Sequence, residues 1–230
     1  MAAPLSVIIP TLDCASELRV TCRALFEGLE AGLIRELIIS DGGSSDDVST
    51  LADALGAVFV AGPAGRGGQL QRGANAAKGD WFLFLHADTV LEKGWSGEIT
   101  EFLAVKADQA AVFRLGFRAR GPAAGFVAGW ANIRTRIFRL PYGDQGLLIS
   151  RERFNEVGGY PDIPLMEDVA ISRILGGKFA ILNSKAMTSA AKYQKEGWIK
   201  RGGKNLILLT KYFLGVSPKK LARAYRGQAE

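Results

Sequence analysis

Cysteine, histidine and long apolar runs are all scarce in this chain, and each scarcity excludes something. The two cysteines among 230 residues, Cys14 and Cys22, fall on one predicted helix about two turns apart. At a rise of ~1.5 Å per residue that separation is too long for a disulfide, so a reduced, cytosolic protein is expected. The longest stretch free of Asp, Glu, Lys and Arg is Gly121 to Ile133, 13 residues, which is too short to span a bilayer. No basic segment precedes an apolar run at the N-terminus, so no secretory signal is expected. Three familiar signatures are missing as well. Pro10-Thr11-Leu12-Asp13 stands where a G-x-G-x-x-G would follow the first apolar run, Gly62 leads only to Gly67-Gly68, and no G-x-S-x-G occurs. Dehydrogenase, P-loop and hydrolase readings therefore drop.

The charge is unevenly placed. The formal net charge is +6, yet Met1 to Ala191 holds 19 basic and 21 acidic side chains, and Lys192 to Glu230 holds 10 basic and 2 acidic ones. A near-neutral body, residues 1–191, and a basic helical extension, residues 192–230, are expected. A uniformly basic nucleic-acid binder is not, because the cations sit in one segment with few stacking aromatics.

Apolar periodicity alternates along the first half. Leu5 to Ile9, Arg35 to Ser40, Val58 to Val60 and Trp81 to Leu85 are short β-rich runs. They are separated by helical stretches at Ser16 to Ala31, from Ser44 to near Gly56, and after a glycine-rich loop, Gly62 to Gly68, as far as Lys78. The β-α-β-α-β-α-β rhythm predicts an α/β fold with a mostly parallel central sheet and helices on both faces. Further on, Ala110 to Phe117 and Gln145 to Ser150 are predicted strands, and Ala123 to Phe138 and Glu167 to Leu175 helices.

In open α/β sheets ligands bind beyond the carboxyl ends of the strands. Here those ends carry Pro10-Thr11, Asp41, Arg66 and His86-Ala87-Asp88. Asp41 suits a ribose hydroxyl or base edge. Asp88 suits a hard cation, since Mg²⁺ needs only one or two protein carboxylates when a diphosphate supplies the rest. Arg66 adds a positive charge for the same phosphates. One crevice with these groups points to a nucleotide-diphosphate ligand.

Ser6-Val7-Ile8-Ile9-Pro10-Thr11, Ile39-Ser40-Asp41-Gly42-Gly43-Ser44-Ser45-Asp46, Phe84-Leu85-His86-Ala87-Asp88 and Glu167-Asp168 together resemble the family 2 inverting glycosyltransferases of the GT-A fold. Arg66-Gly67-Gly68-Gln69-Leu70 and Pro141-Tyr142-Gly143-Asp144-Gln145-Gly146 are similar, more narrowly, to a bacterial subgroup associated with arsenosugar biosynthesis or with radical-SAM and selenium-related proteins. The resemblance implies a Rossmann-like GT-A sheet and a UDP- or GDP-type sugar donor. It assigns nucleotide-sugar contacts to Pro10, Thr11, Asp13, Asp41, Arg66, Gln69, His86, Ala87 and Asp88. Asp88 stands for the last aspartate of the family's D-x-D and would bind Mg²⁺ or Mn²⁺; the first position is His86, the sole histidine. The usual Asn-Glu after the first strand is Asp13-Cys14 here. Asp168 is implied as the catalytic base, with Asp144, Gln145 and Glu167 toward the acceptor or leaving group.

Adjacent helical residues do not face each other, so one of Glu167 and Asp168 is expected to point at substrate and the other at a cation or the backbone. In the basic extension, Lys195, Trp198 and Arg201 are candidates for closing the site. The same segment, with its apolar stretch Asn205 to Val216, also suits an anionic membrane surface at the inner face or a homodimer contact. The readings weighed against glycosyl transfer are a nucleotidyltransferase and a non-catalytic nucleotide-sugar binding module. The acceptor is left open.

Overall fold

A computed structural model describes residues 3–105 and 110–226; the outermost residues of both expected segments lie outside the described residues. The chain runs β1 (Leu5–Thr11), α1 (Ala15–Glu30), β2 (Ile34–Asp41), α2 (Val48–Ala54), β3 (Val58–Ala61), α3 (Arg66–Ala76) and β4 (Trp81–Phe84). It continues with β5 (Thr89–Leu91), α4 (Trp95–Val105), β6 (Ala110–Phe117), α5 (Pro122–Phe138), β7 (Leu147–Ser150), α6 (Arg151–Glu156) and α7 (Glu167–Leu175). The last elements are β8 (Phe179–Thr188), α8 (Ala191–Glu196), α9 (Trp198–Phe213) and α10 (Pro218–Arg226).

The strands form one sheet in the order β3-β2-β1-β4-β7-β6-β8-β5. β3, β2, β1 and β4 are parallel, β7 is antiparallel to both its neighbours, β6 and β8 are parallel, and β5 closes the edge antiparallel to β8. The fold is the mixed α/β architecture expected, with helices on both faces. The alternation of side chains explains this. Val7, Ile9, Ile39 and Leu83 join one core with α1, α2 and α4. Ile8, Ile38, Phe82 and Phe84 join the other with α3, α6 and α7. Both faces of β1, β2 and β4 carry apolar residues, so both need a helical cover.

The cover changes side between the first crossovers and α3, so β1 and β4 leave a crevice between them at their carboxyl ends, the topological switch point of an open sheet. Thr11 pairs in register with Asp41 there. α3 differs from expectation, because Arg66, Gly67 and Gly68 form its first turn rather than a loop. A Cβ on Gly67 would stand 2.1 Å from the carbonyl oxygen of Pro161. Glycine is what lets the helix start against that backbone. β5, α4, α6 and β8 have no counterpart in the sequence reading. The polar stretch Asn183-Ser184-Lys185 inside β8 breaks its apolar pattern.

The basic segment folds back onto the body. Leu208 and Leu209 of α9 and Leu221 of α10 pack with Met166 and Val169 at the start of α7. Cys14 lies just ahead of α1 and Cys22 within it, and both are free thiols.

Candidate active site

The crevice opens into a cleft of about 580 Å³ bounded by the ends of β1 and β4, the start of α3, the turn before β7, the start of α7 and the C-terminal helices. On the β1 side, Thr11 Oγ1 donates to Asp41 Oδ1 at 2.8 Å, and Asp41 Oδ2 accepts from the backbone N–H of Gly43 at 2.8 Å and Ser44 at 2.7 Å. Burial pushes the Asp41 carboxyl up, but these bonds from Ser44, Thr11 and Gly43 outweigh it and hold the group below the usual carboxylate range. Asp41 therefore stands behind Thr11 and shapes the turn, without lining the cleft itself. Asp13 does line it. Its backbone is left-handed (φ 47°), and its carboxylate accepts from Ser45 N–H at 2.7 Å, which keeps its pKa low.

Gln69 ties α3 to the strand ends. Its buried Nε2 donates to Thr11 O at 2.7 Å and Ser40 O at 2.9 Å, and its Oε1 accepts from Gly65 N–H at 3.1 Å. Beyond β4, Ala87 O accepts from Thr21 Oγ1 at 2.7 Å. His86 packs so closely on Gly143 that a Cβ there would meet Nε2 at 2.5 Å. Burial, together with the charges of Arg66 and Lys192, holds the His86 imidazole well below its ordinary pKa, hence neutral.

Asp88 faces the cleft half-buried, with a long contact of 3.4 Å from Thr89 Oγ1. Among the described residues it enters no ion pair. No cluster of three or more His, Cys, Asp or Glu suited to a metal occurs among them either. One uncommitted carboxylate fits Mg²⁺ or Mn²⁺ only when a diphosphate and water complete the oxygen shell.

Glu167 and Asp168 open α7 behind Met166, whose backbone is left-handed (φ 69°). They diverge. Glu167 is 1% exposed and meets Arg66 Nη1 at 3.3 Å, while its Oε2 is buried without a hydrogen bond. Burial raises the Glu167 pKa, opposed by the Arg66 charge. Asp168 instead turns to the cleft, its Oδ2 accepting from Gly143 N–H at 2.8 Å and its Oδ1 from Val169 N–H at 2.8 Å. The start of the helix adds its positive end to the stabilisation of that carboxylate.

Asp144 lines the cleft with Oδ1 sealed from solvent and unpartnered, and burial pushes its carboxyl up to about 6. Gln145 lies elsewhere. It is fully buried, accepting from Thr135 Oγ1 at 2.6 Å and donating to Phe113 O at 3.0 Å, so it braces α5 against β6 instead of meeting ligand. Lys195 and Trp198 are also outside the cleft: Lys195 is exposed, and Trp198 stacks on Tyr193 with ring centroids 5.1 Å apart.

Arg201 does reach the cleft, buried and bonded to Glu196 at 2.8 Å and to the Tyr225 hydroxyl. Lys192, Tyr193, Asn205 and Tyr225 line it too, unforeseen from sequence. Only their place in a basic, aromatic segment hinted at them.

The family model described as Glycosyl transferase family 2 matches residues 6–145. Among solved structures, S. aureus TarS 1-349 superposes with a TM-score of 0.60 at 16% identity, covering 80% of this chain and 60% of that one. Glucosyl-3-phosphoglycerate synthase from Mycobacterium tuberculosis, in complex with Mn²⁺, UDP and glucosyl-3-phosphoglycerate, superposes at 0.57 and 22% identity, covering 79% and 70%. TarS 1-349 in complex with UDP-GlcNAc gives 0.60 at 14%, covering 80% and 58%. These likenesses show the fold, and the chain spans about three fifths of TarS 1-349. No curated protein matches significantly in sequence.

Proposed function

The chain belongs to glycosyl transferase family 2, and on that premise we propose that it moves a sugar from a nucleotide-diphosphate sugar to an acceptor hydroxyl, with inversion at the anomeric carbon. The observation that carries this reading is the Asp168 carboxylate, held by Gly143 N–H at 2.8 Å at the start of α7 and open to the same cleft as Asp88, Thr11 and Asp13. UDP, UDP-GlcNAc and Mn²⁺ in the structural neighbours support a uridine-type donor. The narrower kinship with the arsenosugar-associated group rests on Arg66 to Leu70 and Pro141 to Gly146, and it assigns no acceptor.

Asp168 takes the proton from the acceptor hydroxyl as that oxygen bonds to the anomeric carbon. The bond from that carbon to the diphosphate breaks on the opposite face, and its electron pair leaves with the nucleoside diphosphate. Arg201 and Lys192 on the cleft wall offset the charge that develops. A divalent cation on Asp88 would supply further Lewis-acid stabilisation of the leaving diphosphate. Thr11 and Asp13 form the nucleoside wall, and Asp41 and Gln69 fix that wall in place. Arg66 neutralises Glu167, so that the second carboxylate beside the base does not add an unpaired charge.

The test is a panel of nucleotide sugars with Mn²⁺, read by thermal shift and then by product formation. Asp168→Asn is expected to lower kcat by about 10²–10⁴ while the donor-induced shift persists. Turnover at the wild-type rate would remove the base assignment. Release of pyrophosphate instead of a nucleoside diphosphate would identify a nucleotidyltransferase, and donor binding with no turnover on any acceptor would leave a binding module.

A further inference from the structure

α5 and α9 each bury one face and leave another apolar face uncovered. On α5, Phe126, Trp130, Ile133 and Ile137 recur at i, i+4, i+7 and i+11, a single stripe, and all are exposed, Phe126 to 76%. On α9, Ile199, Leu206, Ile207 and Phe213, with Leu214 just past its end, recur at heptad-like spacing, with Ile199 91% and Leu214 78% exposed. Lys200 and Lys211 flank the second stripe. Side chains of this size facing water together mark an interaction surface.

Between the two helices runs a groove of about 300 Å³, with Trp130 and Leu206 on its rim and Val127, Ala131 and Leu209 deeper in. Its inner end abuts the catalytic cleft, since Tyr142, Asp144, Tyr193 and Asn205 line both. The groove and the cleft thus lie on either side of one shared wall, and the groove emerges between two apolar stripes.

We propose that the acceptor is amphipathic. Its hydroxyl-bearing head enters the cleft at Asp168, its hydrocarbon chain lies in the α5–α9 groove, and the enzyme collects it from an anionic bilayer on which both stripes rest. This deepens the glycosyl-transfer reading and depends on it. Charge complementarity selects the surface, because Lys200 and Lys211 are exposed beside the second stripe and residues 192–230 hold 10 basic and 2 acidic side chains, of which Lys192 and Arg201 face the cleft. Among the described residues no helix is long and apolar enough to cross a membrane. The geometry is that of helices lying in the interface.

The experiment uses the whole chain with vesicles of phosphatidylcholine alone or mixed with phosphatidylglycerol. Co-sedimentation is expected only with the anionic vesicles, falling about tenfold as salt rises from about 0.1 to about 0.5 M. Phosphatidylglycerol with brominated acyl chains is expected to quench tryptophan emission. Trp81 and Trp95 are buried in the core and Trp198 is half-buried against Phe117 and Tyr193, so Trp130→Phe removes most of the quenching. The double variant Ile133→Ser with Ile137→Ser, which removes apolar contact without touching the cleft, is expected to weaken vesicle binding about tenfold. It should leave the melting temperature and the donor-induced shift unchanged.

Absence of binding to anionic vesicles overturns the proposal. So does a stable dimer in sedimentation equilibrium that the double variant dissociates, which would make the stripes a contact between copies. The donor shift is measured without vesicles. A retained donor shift with no vesicle binding sinks this inference alone, whereas vesicle binding with no donor shift sinks the glycosyl-transfer reading.

Discussion

The side chain of Asp144 meets the cleft with one oxygen sealed and unpartnered, and burial carries its carboxyl from an ordinary 3.8 up to about 6. A group raised in this way is neutral in the fold at acid pH, and its contribution is fully present below the unfolded pKa. That contribution is lost as pH rises through about 6. Asp144→Asn is therefore expected to stabilise the protein near neutral pH by up to about 2 kcal/mol and to change little near pH 4, as read from urea unfolding at the two pH values. Asp88 faces the same cleft and enters no ion pair among the described residues. Asp88→Ala is expected to abolish the part of the donor thermal shift that requires Mn²⁺ and to spare the part seen with nucleotide alone. The charges of Asp88 and Arg66 at strand ends were legible in the sequence, and Asp168 through the family resemblance; all three line the cleft. The pairing of Arg66 was not legible. Its partner Glu167 is 101 positions away, and only the packing of α3 beside α7 brings the two together.

At the scale of elements, the start of α3 shows how a local pattern can mislead. Gly62 to Gly68 has the composition of a loop, and glycine within a helix costs about 1 kcal/mol relative to alanine. The chain accepts that cost because the helix begins against the Pro161 carbonyl, a fixed backbone atom that cannot swing aside. Gly67→Ala is thus expected to destabilise by about 1–3 kcal/mol despite the better helix former, seen as a lower denaturant midpoint with an unchanged m-value. Stability equal to or above wild type would show that the loop at 161–163 yields easily. α7 carries the complementary lesson. Its opening Glu-Asp pair was readable as two diverging carboxylates, and Glu167 does turn inward to Arg66 while Asp168 turns to the cleft.

At the scale of the molecule, the basic C-terminal segment is packed into the body. Leu221, almost wholly buried, joins Leu208 and Leu209 over Met166 and Val169, the residues that frame the Glu167-Asp168 pair. Leu221→Ala is expected to cost about 2–4 kcal/mol and to lower kcat as well, since it loosens the support under Asp168. Calorimetry should show a single cooperative transition. A separate low-temperature transition that leaves turnover intact would mean that the segment is an independent appendage.

The amino-acid pattern alone determined the alternating β and α elements of the first half, the parallel character expected of their sheet and the acidic strand ends. Each of these depends on periodicity and residue type within a few positions. Tertiary structure alone decided that Asp41 and Gln145 work behind the cleft, and that Lys192 and Tyr225 stand in it while Lys195 and Trp198 do not. It also decided that the apolar faces of α5 and α9 border one groove. The physical reason is the same throughout. A side chain's chemistry is written in its type, but its partner is set by which segments pack together, and that choice minimises the exposed apolar surface of the whole chain.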